Sequence, residues 1–169
     1  MEFQVLISMS ELESIFSETL SQELAANLSE FNASQLSILI QKHCRAYCTS
    51  VAIDVCYYLC EDKPAYNTIS MQASTAEKSF DADFTTFLTR FLFWDSNRAS
   101  EFLKRLRNVL TNVFMIRLEA ATGKNIYDNR QYKLRRFELP REWSTTSDRV
   151  LLVTFEGTQV LNGGFSMAV

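Results

Sequence analysis

Apolar residues recur every three or four positions through most of residues 1–122, the spacing that places them along one face of an α-helix. The pattern predicts four helices, over residues 10–30, 34–60, 80–92 and 96–123. The fourth has the most regular apolar stripe, and its opposite side is basic at Arg98, Lys104, Arg105 and Arg107. We therefore expect this helix to have one side that packs into the core and one basic side.

The segment between the second and third predicted helices, residues 61–79, is polar and shows no regular period. It is predicted as a loop, started by the helix-breaking Pro64, with one short strand at 68–72. Asp81 and Asp83 follow this loop. We interpret them as acidic residues at the start of the third helix, where carboxylates complement the positive end of the helix dipole.

After Gly123 the apolar residues alternate with polar ones, a pattern typical of strands. Strands are predicted over residues 132–137, 150–155, 158–161 and 165–169, and one more at the N-terminus over 1–9. The predicted fold class is therefore α+β, in one domain over residues 1–169. It has a helical body of about four helices, residues 10–122, followed by a small antiparallel β-sheet, residues 125–169, which the N-terminal strand can join.

Composition argues against several kinds of site and location. None of the four glycines precedes Gly123, so the helical part has no glycine-rich loop of the kind that binds phosphate or a dinucleotide. The first basic residue is Lys42, and the longest apolar run is interrupted by Asp54, which argues against a signal peptide and a transmembrane segment. We expect an intracellular protein or a component of a virion, with no membrane partner.

The four cysteines and the single histidine all lie in the second predicted helix, at His43, Cys44, Cys48, Cys56 and Cys60. About 18 Å of helix separates Cys44 from Cys56, too far for a disulfide, and the thiols spread around the helix instead of converging on one metal. We predict buried thiols and a packed histidine. No metal, cofactor or catalytic residue is predicted, and we expect that the protein is not an enzyme.

Charge is unevenly distributed along the chain. Residues 1–84 hold twelve acidic and four basic residues, whereas residues 85–169 hold eight acidic and thirteen basic residues. Such a division favours docking between the two halves of one chain or between copies of the chain.

Most of the basic residues fall in the window 98–141, which also contains tyrosine and phenylalanine and is followed closely by a tryptophan. Basic and aromatic residues together are typical of surfaces that bind single-stranded nucleic acid. Acidic residues interrupt the window, so nucleic-acid binding or a regulatory role is our second hypothesis. Its predicted contacts are Lys133, Arg135 and Arg136.

Two features favour protein contacts. Trp143 lies in a polar loop beside Arg141, and these two residue types are enriched at interface hot spots. The tail after Gly164 is apolar at Phe165 and Met167, and it can extend its own sheet or add a strand to the sheet of a neighbour. Our leading hypothesis is a non-enzymatic structural subunit of a larger assembly, such as a virus or phage particle. It would bind other protein subunits, or further copies of itself, through these C-terminal strands and loop.

Overall fold

The computed structural model describes residues 2–60, 68–122, 132–138 and 150–157. In this order along the chain, one strand precedes the helices and two strands follow them. The helices are α1 (Ser10–Leu24), α2 (Glu30–Leu59), α3 (Thr68–Thr86) and α4 (Ser96–Thr122). A 3₁₀ turn follows α1 and a π-helical turn follows α3, at Ala25–Asn27 and Phe87–Phe91. The strands are β1 (Glu2–Ser8), β2 (Tyr132–Glu138) and β3 (Val150–Gly157). The predicted α+β class, with a helical body and a small antiparallel sheet, is confirmed.

Polar side chains set the points where the two longest helices begin. The Ser29 hydroxyl oxygen accepts a hydrogen bond from the backbone N–H of Asn32 at 3.3 Å and so caps α2. The Asp95 carboxylate accepts one from the backbone N–H of Arg98 at 2.8 Å, directly before α4. The start of α4 at Ser96 agrees with the sequence prediction.

The third helix begins earlier than predicted. Residues 68–79 belong to α3, so the predicted loop over this part and the short strand at 68–72 are wrong. The segment contains no glycine or proline and is rich in helix formers, among them Met71, Gln72, Ala73 and Glu77. The apolar period of α3 is not visible in this segment because Glu77 faces inward. A polar residue thus occupies a position where a regular stripe would have an apolar one.

Asp81 and Asp83 consequently lie near the C-terminal end of α3, and their interpretation as acids at a helix start is also wrong. The Asp83 carboxylate instead accepts hydrogen bonds from two side chains of α2. Its distances are 3.1 Å from Lys42 Nζ and 2.8 Å from His43 Nε2. The acids on α3 therefore join helices together instead of starting one.

The sheet has β3 at its centre, antiparallel to β1 on one side and to β2 on the other. Val5 of β1 lies opposite Val153, and Leu134 of β2 lies opposite Phe155. A β-bulge interrupts β2 between Leu134 and Arg136. The predicted N-terminal strand does join the sheet, whereas the strands predicted at 158–161 and 165–169 lie outside the described residues.

Aromatic rings form the centre of the helical body. The ring centroid of Phe80 lies 4.4 Å from that of Tyr47, 5.1 Å from that of Phe84 and 5.5 Å from that of Phe16. All four side chains are almost fully buried. The inner face of the sheet belongs to the same core and contributes Ile7, Leu134, Leu151, Val153 and Phe155. One continuous core therefore connects the helices to the sheet.

The four thiols are free and buried, and His43 is buried as well, so the predicted buried thiols and packed histidine are confirmed. Cys60 Sγ donates a hydrogen bond to the backbone carbonyl of Arg135 at 2.8 Å, which ties the end of α2 to β2. Burial raises the pKa of Cys56, so its sulfur stays protonated and unreactive at neutral pH.

The acidic first half and the basic second half of the chain bind each other. Ion pairs between described residues connect them: Arg107 with Asp54, Arg107 with Glu77, Arg117 with Glu11, and Arg136 with Glu2. Docking within one chain therefore accounts for part of the charge asymmetry. Within the described ranges, none of the helices has a stretch that is both long and apolar enough to cross a membrane.

Candidate functional site

Large apolar side chains remain exposed on the described surface, at Leu6, Phe31, Ile38, Tyr58, Phe93, Val109 and Ile116. Two of them lie close to where α2 begins and the π-helical turn ends, Phe31 and Phe93, and Ile38 lies about two turns further along α2. Single exposed apolar residues are ordinary on soluble proteins, but a cluster of them marks a candidate binding surface.

Phe93 has an unusual backbone conformation. Its φ is 59°, in the left-handed region where glycine is favoured and a phenylalanine costs about 1 kcal/mol. Two hydrogen bonds hold the chain there, from Leu92 N–H to the Phe87 carbonyl at 3.3 Å and from Trp94 N–H to the Leu88 carbonyl at 3.0 Å. The side chain of Phe93 is 86 % exposed, so burial does not offset the backbone cost.

Phe93 follows closely on Phe91, which contacts an apolar side chain of α2. Phe91, two residues earlier, is half-buried, and its ring centroid lies 6.0 Å from that of Phe31 at the start of α2. Ile38 lies two turns along α2 from Phe31 and on the same side of that helix, since seven residues complete almost two full turns. We call Phe31, Ile38, Phe91 and Phe93 the aromatic patch. Phe87 connects it to the core, with a ring centroid 6.0 Å from that of Phe91.

The residue after Phe93 fixes the position of the patch. The Trp94 side chain is 7 % exposed, and its ring lies edge-on to Phe102 at 5.5 Å and under the Arg98 guanidinium at 3.8 Å. Its indole N–H is buried and has no hydrogen-bond partner among the described residues. The left-handed Phe93 therefore directly precedes a buried, well-packed tryptophan, and backbone strain of the kind seen at Phe93 concentrates at functional sites.

A second feature, between α2, α3 and α4, is a polar cluster around Arg107. The Arg107 guanidinium donates hydrogen bonds to Glu77 of α3 and to Asp54 of α2. The Ser50 hydroxyl donates to the other carboxylate oxygen of Glu77 at 2.8 Å, and the Tyr47 hydroxyl contacts Arg107. Arg107 belongs to the basic side predicted for the fourth helix. The structure places its side chain, which is 30 % exposed, between these two carboxylates.

A cavity of about 380 Å³ opens beside this cluster, and its lining includes Glu77, Asp81 and Lys104. Partial burial, followed by repulsion from Glu77, raises the pKa of Asp81. Burial likewise raises the pKa of Asp54, although the Arg107 charge opposes the shift. Perturbed carboxylates in a cavity are typical of active sites, but ion-pair networks perturb them equally. We interpret the cluster as a structural network, since each of its strong hydrogen bonds joins two helices.

The two acids near the end of α3 are expected to have opposite effects on stability. Hydrogen bonds from His43 and Lys42 lower the pKa of Asp83, so its contribution is present at neutral pH and is lost as the pH falls through that lowered value. The pKa of Asp81 is raised, so its ionisation opposes folding at neutral pH, and protonation on acidification removes that penalty.

We therefore expect Asp83→Asn to lower Tm at pH 7 and Asp81→Asn to raise it. Thermal unfolding followed by circular dichroism at pH 7 and again at about pH 3 measures both effects. The effect of Asp81→Asn shrinks at the lower pH because a carboxyl with a raised pKa is then largely protonated, and the effect of Asp83→Asn shrinks because the Asp83 carboxyl of the unfolded chain is then largely protonated. The two variants are matched controls for each other, since they make the same change on the same helix. Equal shifts of the same sign would contradict this assignment.

The pair formed by His43 and Asp83 resembles two members of a catalytic triad, but its surroundings are structural. His43 is 4 % exposed, and its ring centroid lies 5.9 Å from that of Phe80. Its hydrogen bond goes to Asp83, and none joins it to a serine, threonine or cysteine in the described part of the chain. Within the same residues, no group of three His, Cys, Asp or Glu side chains is placed to hold a metal ion.

The structure describes three of the predicted contact residues. Lys133 lies on β2, opposite Glu156 of β3. Arg135 Nε is 3.2 Å from the Glu156 carboxylate, and an Arg136 guanidinium nitrogen is 2.9 Å from the Glu2 carboxylate. Both arginines are thus ion-paired within the sheet. The predicted protein-contact residues lie outside the described residues: Arg141, Trp143, Phe165 and Met167.

The aromatic patch was not among the predicted sites. The sequence contains one signal of it, the run Phe91-Leu92-Phe93-Trp94 directly before Asp95. No helix can bury four consecutive apolar side chains on one face, so at least one of them has to point away from the core. No protein-family model matches this chain, and neither a curated protein nor a solved structure is detectably similar to it.

Proposed function

We propose that this chain is a non-enzymatic structural subunit that binds another protein of a larger assembly, and that the aromatic patch is one of its contact surfaces. A virus or phage particle is one setting that fits. Phe93 is the observation that carries the proposal, because it combines a left-handed backbone with a side chain that is 86 % exposed. The C-terminal contacts predicted at Arg141, Trp143, Phe165 and Met167 stay part of the proposal.

The energetics of Phe93 support a binding role. A phenylalanine in this position lowers the stability of the isolated chain, and glycine would remove the backbone cost. Burial of the ring against a partner returns about 1.5–3 kcal/mol, which exceeds that cost. Aromatic side chains of this kind, well positioned by a rigid neighbour, are common anchors of protein interfaces. Trp94 supplies the rigid neighbour here.

Exposed charges of both signs lie beside the patch in sequence, since Glu30 precedes Phe31 and Asp95 follows Trp94. Arg90 is exposed on the π-helical turn, and Arg98 lies over the Trp94 ring directly after Phe93. A protein surface with an apolar pocket for the Phe93 ring and charged residues of both signs around that pocket would complement these features. We therefore expect partner binding to weaken moderately at high salt, because the apolar contact is insensitive to salt and the contacts at the rim are not.

Photo-crosslinking tests this proposal and does not require the partner to be identified first. A photo-reactive phenylalanine analogue at position 93, in cells that naturally make the protein, is expected to give one dominant protein–protein product. The same analogue at position 116 is the matched control, because Ile116 is also exposed but lies on α4 away from the patch. The proposal fails if position 93 gives no product that position 116 lacks.

Phe93→Gly is expected to raise the free energy of unfolding by about 1 kcal/mol, since glycine adopts the left-handed conformation without strain and little buried area is lost. A gain of this size raises Tm by about 2–4 °C in a chain of this length. Urea and thermal unfolding measure it. The control is Phe93→Ala, which keeps the strain and is expected to leave stability within about 0.5 kcal/mol. Loss of stability in the glycine variant would show that Phe93 is a structural residue.

Nucleic-acid binding through Lys133, Arg135 and Arg136 is the alternative, and the ion pairs of the two arginines weaken its support. Under the leading proposal, Arg135→Glu together with Arg136→Glu leaves any residual affinity for single-stranded RNA or DNA unchanged. Fluorescence anisotropy at several salt concentrations measures this. The alternative instead requires a large loss of affinity in the variant and a steep salt dependence in the wild type.

A further inference from the structure

The cavity between α3 and α4 is lined largely by polar side chains, although neighbouring helices usually face each other with apolar ones. Its polar lining is spaced four residues apart on each helix, and that spacing places side chains on one helix face. These residues are Glu77, Asp81 and Thr85 of α3, and Ser96, Ser100 and Lys104 of α4. The cavity is therefore a gap between two polar helix faces.

The size of the cavity limits what it can hold. Its volume of about 380 Å³ lies at the lower end of the range of ligand pockets. Tyr47 of α2, which is almost fully buried, and the half-buried Leu103 also line it. The ion pair between Glu77 and Arg107 lies at the same cavity and joins its two walls. The space is suitable for a small molecule of about the size of one amino acid.

Two charges of opposite sign lie on the two walls of this cavity. Glu77 is paired with Arg107, but the Asp81 carboxylate and the Lys104 ammonium group take part in no ion pair within the described ranges. Partial burial and repulsion from Glu77 raise the pKa of Asp81, so its negative charge is poorly compensated. A cationic group beside Asp81 would compensate it, and an anionic group would do the same for Lys104.

We propose that this cavity binds a small zwitterion, a free amino acid, whose ammonium group pairs with Asp81 and whose carboxylate pairs with Lys104. An amine alone would leave Lys104 unmatched, and an anion alone would leave Asp81 unmatched. The hydroxyl groups of Thr85, Ser96 and Ser100 can both donate and accept hydrogen bonds, so they suit the remaining polar groups of such a ligand.

This inference goes beyond the proposed function and does not depend on it, because the cavity lining includes no residue of the aromatic patch. Amino-acid binding can fail while Phe93 still crosslinks to a protein, and the reverse result is equally distinguishable. The two experiments use different probes and different variants.

Thermal unfolding of the full chain, with each common L-amino acid added separately, identifies the ligand. We expect at least one of them at about 10 mM to raise Tm by about 3 °C, as a Kd of about 1 mM implies. Isothermal titration calorimetry then measures the Kd of that amino acid, of its methyl ester, which lacks the carboxylate, and of its N-acetyl derivative, which lacks the ammonium group. Both derivatives are expected to bind at least about tenfold more weakly.

Two variants test the pairing of each charge. Asp81→Asn and Lys104→Gln are each expected to weaken binding of the amino acid at least about tenfold. The matched controls are Asp83→Asn and Lys78→Gln, which make the same changes on α3 outside the cavity lining and are expected to leave Kd within about twofold. Circular dichroism checks that all four variants are folded.

The derivatives and the variants together assign the contacts. Lys104→Gln is expected to cause little further loss of affinity for the methyl ester, and Asp81→Asn little further loss for the N-acetyl derivative. The inference would be overturned if no amino acid raised Tm by more than about 1 °C, or if either cavity variant bound as tightly as the wild type. A methyl ester that binds as well as the amino acid would show that the cavity accepts simple amines, and this too would contradict the proposal.

Discussion

Phe80→Ala is expected to lower the free energy of unfolding by about 3–5 kcal/mol, a large effect for a single substitution. The Phe80 side chain is fully buried, and its ring contacts those of Tyr47, Phe84, Phe16 and His43 on two neighbouring helices and its own. The loss combines the transfer free energy of the ring with the cost of the cavity that it leaves. Since a domain is stable by about 5–15 kcal/mol, the variant should retain little stability at 37 °C.

Urea unfolding at 25 °C measures this effect as a shift of the midpoint at nearly constant m-value. The matched control is Ile116→Ala, an apolar truncation at a position that is 62 % exposed. It is expected to change stability by less than about 0.5 kcal/mol. If the two variants lost similar stability, Phe80 would not lie at the centre of the aromatic core.

Arg107→Ala is expected to lower the free energy of unfolding by about 2–3 kcal/mol. Loss of one partner from a buried ion pair costs about 3–5 kcal/mol, and we reduce that figure because the Arg107 side chain retains 30 % exposure. The variant leaves the carboxylates of Asp54 and Glu77 without their counter-charge between α2 and α3. Arg107→Lys is expected to recover only part of the loss, because a single ammonium group cannot match the two-pronged guanidinium.

Urea unfolding of Arg107→Ala, measured in the wild-type background and in the Glu77→Gln background, distinguishes this electrostatic cost from a loss of packing. In the Glu77→Gln background, Arg107→Ala leaves fewer unpaired charges, so its cost is expected to fall by at least about 1 kcal/mol. An equal cost in both backgrounds would indicate that Arg107 stabilises the fold mainly through its aliphatic stem.

The sequence predicts those elements whose side-chain period is simple. The apolar stripe that starts at Ala99 defines α4, the alternation after Tyr132 defines β2, and the almost continuous apolar run after Val150 defines β3. The start of α3 could not be read in this way. Glu77 faces inward to bind Arg107, so a polar residue occupies a position where the period requires an apolar one.

The candidate site was harder to predict from the sequence than the fold was. Burial of His43 and of the thiols follows from their place on an apolar stripe. The left-handed conformation of Phe93 does not, because it depends on hydrogen bonds from Leu92 and Trp94 to carbonyls of the π-helical turn. Local propensity favours glycine at such a position, so a phenylalanine there gives no sequence signal of the backbone it adopts.

The ion pairs of Arg135 with Glu156 and of Arg136 with Glu2 could not be predicted from the sequence either. A strand pattern shows which residues share a face, but the identity of the neighbouring strand is a property of the tertiary fold. Glu2, which pairs with Arg136, is 134 positions away in the chain. A basic window that looked available for nucleic acid is therefore partly neutralised by acids from distant strands.

We propose that Phe93 anchors a protein partner, and the affinity for that partner tests this claim. The partner that crosslinks to position 93 is purified, and its Kd is measured by isothermal titration calorimetry for the wild type and for Phe93→Gly, with Ile116→Ser as control. We predict a Kd about 30-fold weaker for Phe93→Gly, despite its higher stability, and a change of less than about twofold for the control. Equal affinity of the wild type and Phe93→Gly would contradict the claim.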